Sequence, residues 1–168
     1  IKALSYIQLK AETTGFIKDT DLIAITELNG EYCVQIYIYR AGQPCGNHPY
    51  FPEHTQDQNI SEVLEAFIMQ LYQDKIPAEN ILLSHSINNS KLFTKALKEL
   101  HGVNVKIEVL KKSGSTANLM QIALENARIA LEQHLKNSAK NRYALEEVQK
   151  LFNLSALPNR IEVYDNSH

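Results

Sequence analysis

The chain has 168 residues, 44% hydrophobic and 21% charged, with a formal net charge of −2. That balance excludes a disordered polyelectrolyte and leaves no global basic field for nucleic acid, so any polyanion contact must come from local patches. Two cysteines, Cys33 and Cys45, fit a reducing compartment better than a disulfide framework, and no apolar run reads as a membrane span or signal peptide.

Ile1, Leu4, Ile7 and Leu9 have near-helical spacing and read as the end of a helix whose beginning is missing. Gly15 and the polar Lys18-Asp19-Thr20 follow as a linker. Leu22 to Leu28 is rich in branched residues and predicts a strand, and Asn29-Gly30 is a dipeptide that favours a tight hairpin. Over Tyr32 to Tyr39 the chain alternates, with Tyr32, Val34, Ile36 and Ile38 on one face and Cys33, Gln35, Tyr37 and Tyr39 on the other. Ala41-Gly42-Gln43 makes a second turn, and the return from Cys45 to Phe51 is assigned to a sheet edge by Pro44 and Pro49. These signals predict a three-stranded antiparallel meander.

Beyond Pro52 the period changes. Val63, Leu64, Phe67, Ile68, Leu71 and Tyr72 form the stripe of a helix over Ile60 to Asp74, with Asn59 or Ser61 at its start and Pro77 beyond its end. A short strand over Asn80 to Ser84 precedes a helix from Lys91 to Leu100, capped by Asn88 or Asn89 and closed by Gly102. Val103 to Val109 predicts a strand and Gly114 a turn; a long helix then runs from about Thr116 to Leu135. A separate helix from Tyr143 to Phe152 and a last strand from Arg160 to Tyr164 complete the chain. The order from Leu22 to about Leu135 is βββαβαβα, an α/β arrangement with an antiparallel meander and further parallel strands, which is the order of the ribonuclease H-like fold.

The final stretch, Leu157-Pro158-Asn159-Arg160-Ile161-Glu162-Val163-Tyr164-Asp165-Asn166-Ser167-His168, resembles the opening of the nuclease domain in the UvrC family, where R-I-E-x-[FY]-D-x-S-H follows an L-P element. Tyr50-Phe51-Pro52 is similar to that family's Y-F-P element, and Glu62-Val63-Leu64-Glu65-Ala66-Phe67, ending at Tyr72, to its E-V-L-x-x-F helix. Asn126-Ala127 resembles its N-A element, and Ile1 to Gln8 the tail of the motif through which its members contact UvrB. One departure is Gly114, followed here by Ser115-Thr116-Ala117 where the family usually carries a charged pair.

The resemblance implies an internal piece of a longer protein. Residues 1–14 would be the tail of the UvrB-binding helix and a linker. Residues 15–140 would form a catalytically inactive ribonuclease H-like module, and 141–168 a linking helix and the first strand of an active ribonuclease H-like endonuclease domain. It further implies a cytoplasmic excinuclease of nucleotide excision repair. With UvrA and UvrB such a protein cuts damaged DNA on both sides of a lesion, the 5′ cut belonging to the centre that Asp165 begins.

In that family pattern Asp165 holds a divalent cation, Mg²⁺ or Mn²⁺, for which a carboxylate is a suitably hard ligand. One carboxylate does not make a site, so the fragment alone is expected to be inactive, its other ligands lying beyond the last residue. Ser167 and His168 belong to the motif without a settled role.

Within the module the first strand offers Asp21 and Glu27, both read as solvated surface residues. The strand Ile81-Leu82-Leu83 has no carboxylate, and His85 and His101 lack metal-ligand spacing. Lys106, Lys111 and Lys112 near Gly114, and Lys136, Lys140 and Arg142 around the predicted helix break, are candidate DNA phosphate contacts. Each also fits an ordinary solvated face. A non-catalytic scaffold that positions DNA or UvrB is the alternative function. A nucleotide-binding domain is disfavoured, because no GxGxxG or GxxxxGK loop is present.

Overall fold

In a computed structural model, residues 18–110, 117–162 and 164 are described. The predicted N-terminal helix and the Gly114 turn lie outside them. The chain divides into two compact units, Ile1–Leu131 and Glu132–His168.

The first three strands, β1 (Thr20–Leu28), β2 (Glu31–Arg40) and β3 (Gln43–Tyr50), form the meander. They are followed by α1 (Ile60–Asp74), β4 (Asn80–Leu83), α2 (Ser90–His101), β5 (Lys106–Val109) and α3 (Ala117–Leu151). The five strands lie in the order β3-β2-β1-β4-β5. β1–β2 and β2–β3 pair antiparallel, whereas β1–β4 and β4–β5 pair parallel. This is the α/β order that the sequence predicts, and β3 is indeed an edge.

Local chemistry explains the meander. Asn29 and Gly30 have φ of 56° and 80°, a turn whose twist matches that of the strands it joins. The alternation of β2 then serves two cores. Tyr32, Val34 and Ile36 face Val63, Leu64 and Ile68 of α1 and Phe93 and Leu97 of α2. Tyr37 and Tyr39 face Leu119, Met120 and Ala123 of α3 on the other side. Asn126 donates from Nδ2 to the Tyr37 hydroxyl at 2.5 Å, which gives the polar residue of the Asn126-Ala127 pair a tethering role, while Ala127 is fully buried.

The start of α1 is settled in favour of Asn59. Its Oδ1 accepts from the Ser61 and Glu62 backbone N–H groups, and Glu62 accepts in return from the Asn59 N–H, a complete capping box. Glu65 reaches across to the next helix, accepting from the Asn88 N–H and the Asn89 side chain. Gly102, in the left-handed region at φ 70°, closes α2 by donating to the Lys98 carbonyl.

Two expectations are corrected. The separate helices over Thr116–Leu135 and Tyr143–Phe152 are one helix, α3, of 35 residues. The segment Lys136-Asn137-Ser138-Ala139-Lys140-Asn141-Arg142 is polar but contains neither glycine nor proline, so nothing in it breaks the backbone ladder. The last strand is also absent from the described residues. Arg160, Ile161, Glu162 and Tyr164 are exposed and join no sheet there, and a strand needs a neighbour for its backbone groups. No described helix is long and apolar enough to cross a membrane.

The two cysteines differ sharply. Cys33 is fully buried, and desolvation pushes its thiol up to about 12 despite a backbone hydrogen bond at Tyr50, whereas Cys45 is exposed. A disulfide-exchange reagent at pH 8 is therefore expected to titrate Cys45 in the native protein and Cys33 only after unfolding. Burial of a neutral thiol stabilises the fold fully below about pH 9, and this contribution falls as pH rises towards 12. Two equally fast thiols in native protein would refute this packing. In urea melts, Leu64→Ala should cost about 2–5 kcal/mol and Asn59→Ala about 1 kcal/mol.

Candidate functional site

Asp21 pairs in register with Ile38 of β2 and Ile81 of β4, on a central strand. It is 3% exposed, which corrects the expectation of a solvated surface acid. A bare buried carboxylate would be costly, and this one is fully supplied with donors. Its Oδ1 accepts from Arg40 Nη1 at 2.7 Å. Its Oδ2 accepts from the Tyr72 hydroxyl at 2.9 Å and the Ala78 N–H at 3.0 Å.

Burial, then the charge of Asp21, hold the Tyr72 phenol well above its usual value, so it remains a donor. Burial would lower the Arg40 guanidinium, but its hydrogen bond and attraction to Asp21 outweigh this and raise it. Asp21 thereby ties β1 to β2, to α1 and to the connection before β4. Both oxygens are committed to protein donors, so its chemistry is structural.

Glu27, the other acid of β1, is exposed and accepts from the Gly30 N–H at 2.7 Å. It braces the hairpin turn.

Ligands of open α/β sheets settle beyond the carboxyl ends of parallel strands. A cleft of about 620 Å³ lies there, lined by Ser84 and His85 after β4, Leu110 after β5, and Asn118, Gln121 and Leu124 of α3. Ser84 Oγ accepts from the Ile25 N–H at 3.0 Å and lies 2.9 Å from His85 Nδ1. Partial burial draws the His85 imidazole below its usual value and favours the neutral ring. The cleft offers hydroxyl, imidazole and carboxamide hydrogen-bonding groups above an apolar floor, and its described lining contains no carboxylate.

A hard divalent cation takes several oxygen ligands. Among the described residues no three His, Cys, Asp or Glu side chains converge as a metal site. Asp165, Ser167 and His168 lie outside those residues, as do Lys111 and Lys112. Of the other candidates, Lys106 pairs with Glu108 at 2.9 Å and Arg142 with Glu146 at 3.2 Å. Lys136 and Lys140 are exposed on α3, four residues apart and so on one face.

Residues 19–134 match the family model described as UvrC Ribonuclease H-like domain. The chain belongs to this UvrC family. The UvrABC system protein C of Rickettsia felis and that of Rickettsia rickettsii are each 48% identical over 169 residues, and that of Rickettsia akari is 44% identical. Each match covers 100% of this chain and 26% of the relative, so the chain spans about a quarter of the length of these curated relatives. A solved Bacteroides thetaiotaomicron protein with an actin-like ATPase fold and unknown function is similar at TM-score 0.36 and 10% identity, over 70% of this chain and 42% of that one. That likeness is too distant to carry an argument.

The UvrC match begins beside β1 and ends within α3, so it coincides with the βββαβαβα unit. The family-like elements inside it now have physical roles. Glu62 completes a cap, Val63 and Leu64 fill the core, and Asn126 tethers α3 to β2. The Asp21 network is not legible in the sequence as such, although an acid entering a run of branched apolar residues is its one available signal.

Asp21→Ala leaves the half-buried Arg40 charge with only the more distant Asp19 carboxylate, at 3.8 Å, and removes the acceptor of two buried donors. It is expected to destabilise the module by about 3 kcal/mol, the lower end for a broken buried pair, because Arg40 keeps 34% of its side chain exposed. An equilibrium unfolding curve shifted by less than about 1 kcal/mol, the range of an exposed pair, would show that the network is not a structural pin.

Proposed function

We propose that this chain is a portion of a protein that incises damaged DNA in nucleotide excision repair, working with UvrA and UvrB. The observation that carries this reading is 48% identity across the whole chain to proteins named UvrABC system protein C. In this reading residues 15–140 are a ribonuclease H-like module without a cutting centre of its own. Residues 1–14 are the tail of a UvrB-contacting helix and its linker, and 141–168 lead into the endonuclease domain.

The scaffold role of the module is supported by two observations. Asp21 has both oxygens engaged by Arg40, Tyr72 and Ala78. The cleft beyond β4 and β5 has a described lining of neutral polar and apolar groups. Such a unit can position a strand or a partner, and among its described residues no three His, Cys, Asp or Glu side chains converge to hold a metal for hydrolysis.

Asp165 contributes one carboxylate to a Mg²⁺ or Mn²⁺ site completed by residues of the parent protein outside this chain. A cation there would supply an activated water and stabilise the leaving oxygen. Ser167 and His168 flank that carboxylate within the motif. Lys106, Lys111, Lys112, Lys136, Lys140 and Arg142 are candidates to meet DNA phosphates, and the protein works in the cytoplasm. The chain alone does not cut.

Asp165→Asn in the full-length parent is expected to abolish the 5′ incision of a lesion-bearing duplex, in the presence of UvrA, UvrB and Mg²⁺, while the 3′ incision continues. If both incisions proceed at wild-type rates, Asp165 is not a metal ligand and this site assignment fails.

A further inference from the structure

The cations of α2 stand apart from the other cations among the described residues 18–131. Among the described residues 18–131, Lys18 pairs with Glu79 at 2.9 Å, Arg40 with Asp21 at 2.7 Å, Lys106 with Glu108 at 2.9 Å and Arg128 with Glu125 at 2.7 Å. Lys75 lies over the Tyr50 ring, 5.9 Å from its centroid. Lys91, Lys95 and Lys98 are exposed, and no carboxylate or ring among the described residues engages them.

Their spacing of four and three residues sets all three on one face of α2. At a rise of about 1.5 Å per residue, Lys91 and Lys98 are about 10 Å apart along the axis. Phe93 and Leu97 turn to the core on a different face, so the lysine row looks outward.

Helix stability does not account for the row. Lys91 stands in the first turn, where the helix dipole disfavours a cation, and no acid is present there to offset it. Lys91 and Lys95, four apart, repel each other. Glu99 follows Lys95 by one turn, in the less favourable Lys-before-Glu order, and makes no ion pair with it. Only Lys98, in the last turn, complements the dipole.

We infer that α2 lies along the phosphodiester backbone of a nucleic-acid strand through Lys91, Lys95 and Lys98. This deepens the proposed function and rests on it. A reach of about 10 Å spans roughly three phosphates at about 3.4 Å each along a duplex axis. Lysines acting as point charges suit sequence-independent contact, as a repair protein requires. The row contains no apolar residue; the exposed Leu92 and Leu100 form a separate row with Ala96, which a protein partner would use instead.

The test uses the full-length parent and a lesion-bearing duplex, with binding followed by fluorescence anisotropy across a salt series. Replacing Lys91, Lys95 and Lys98 by Gln together is expected to weaken binding at least tenfold at low salt. The slope of log K against log salt should become shallower by about 2–3, at about 0.9 for each phosphate no longer neutralised. The triple Arg variant should retain the wild-type slope, and Lys18→Gln with Arg128→Gln should leave it unchanged. An unaltered slope in the triple Gln variant overturns the inference, and loss of UvrB-dependent loading alongside it assigns the row to a protein contact. Failure of the underlying reading looks different, because wild-type protein would then show no salt-dependent DNA binding at all.

Discussion

The centre of the module is pinned by a negative charge almost wholly withdrawn from water. The Asp21 carboxylate sits on the central strand and takes donors from the neighbouring strand, from α1 and from the backbone that leads into β4. An anion in such a place is tolerated only when its lone pairs are filled, so the three donors and the acid specify one another. Arg40 must lie at the end of β2, Tyr72 must come down from α1, and the chain must turn at Ala78 with its N–H inward. The antiparallel and parallel halves of the sheet meet at β1, which pairs with both β2 and β4, and this network braces that junction.

That use of an acid is one of the observations behind the proposed scaffold role. Metal-assisted hydrolysis wants carboxylates with free oxygens converging at one end of a sheet. Here the acids of β1 are spent on protein donors, Asp21 within the interior and Glu27 on the hairpin turn. What remains outward-facing is the lysine row of α2 and a cleft of neutral hydrogen-bonding groups. Those are means of holding a polymer in place, as the proposed scaffold role requires.

How much of this is legible in the sequence depends on the distance over which each feature is decided. The Asn29-Gly30 turn, the alternation of Tyr32 to Tyr39 and the stripe of α1 are local patterns, and each appears where the sequence places it. The continuity of α3 is easily misjudged because a polar run resembles a linker, although its residues are all compatible with a helix. The burial of Asp21 is invisible because its partners lie 19, 51 and 57 residues away and no local spacing reveals them. Asp165 is a different matter, since its role is carried by a motif resemblance and by no pattern of period or charge. The lysine row at 91, 95 and 98 is open to reading, but it becomes distinctive only once the other cations of the described residues 18–131 are seen to be engaged.

The two edges of the sheet bear on how such a module survives in a long polypeptide. β3 carries Pro44 and Pro49, which remove backbone donors from the row a further strand would need. β5 is only four residues long and carries the Lys106–Glu108 ion pair. Short, charged or proline-bearing borders are poor templates for a second copy of the same sheet. The folded module is therefore a poor seed for intermolecular β-structure, even while a polypeptide that carries it is still being made.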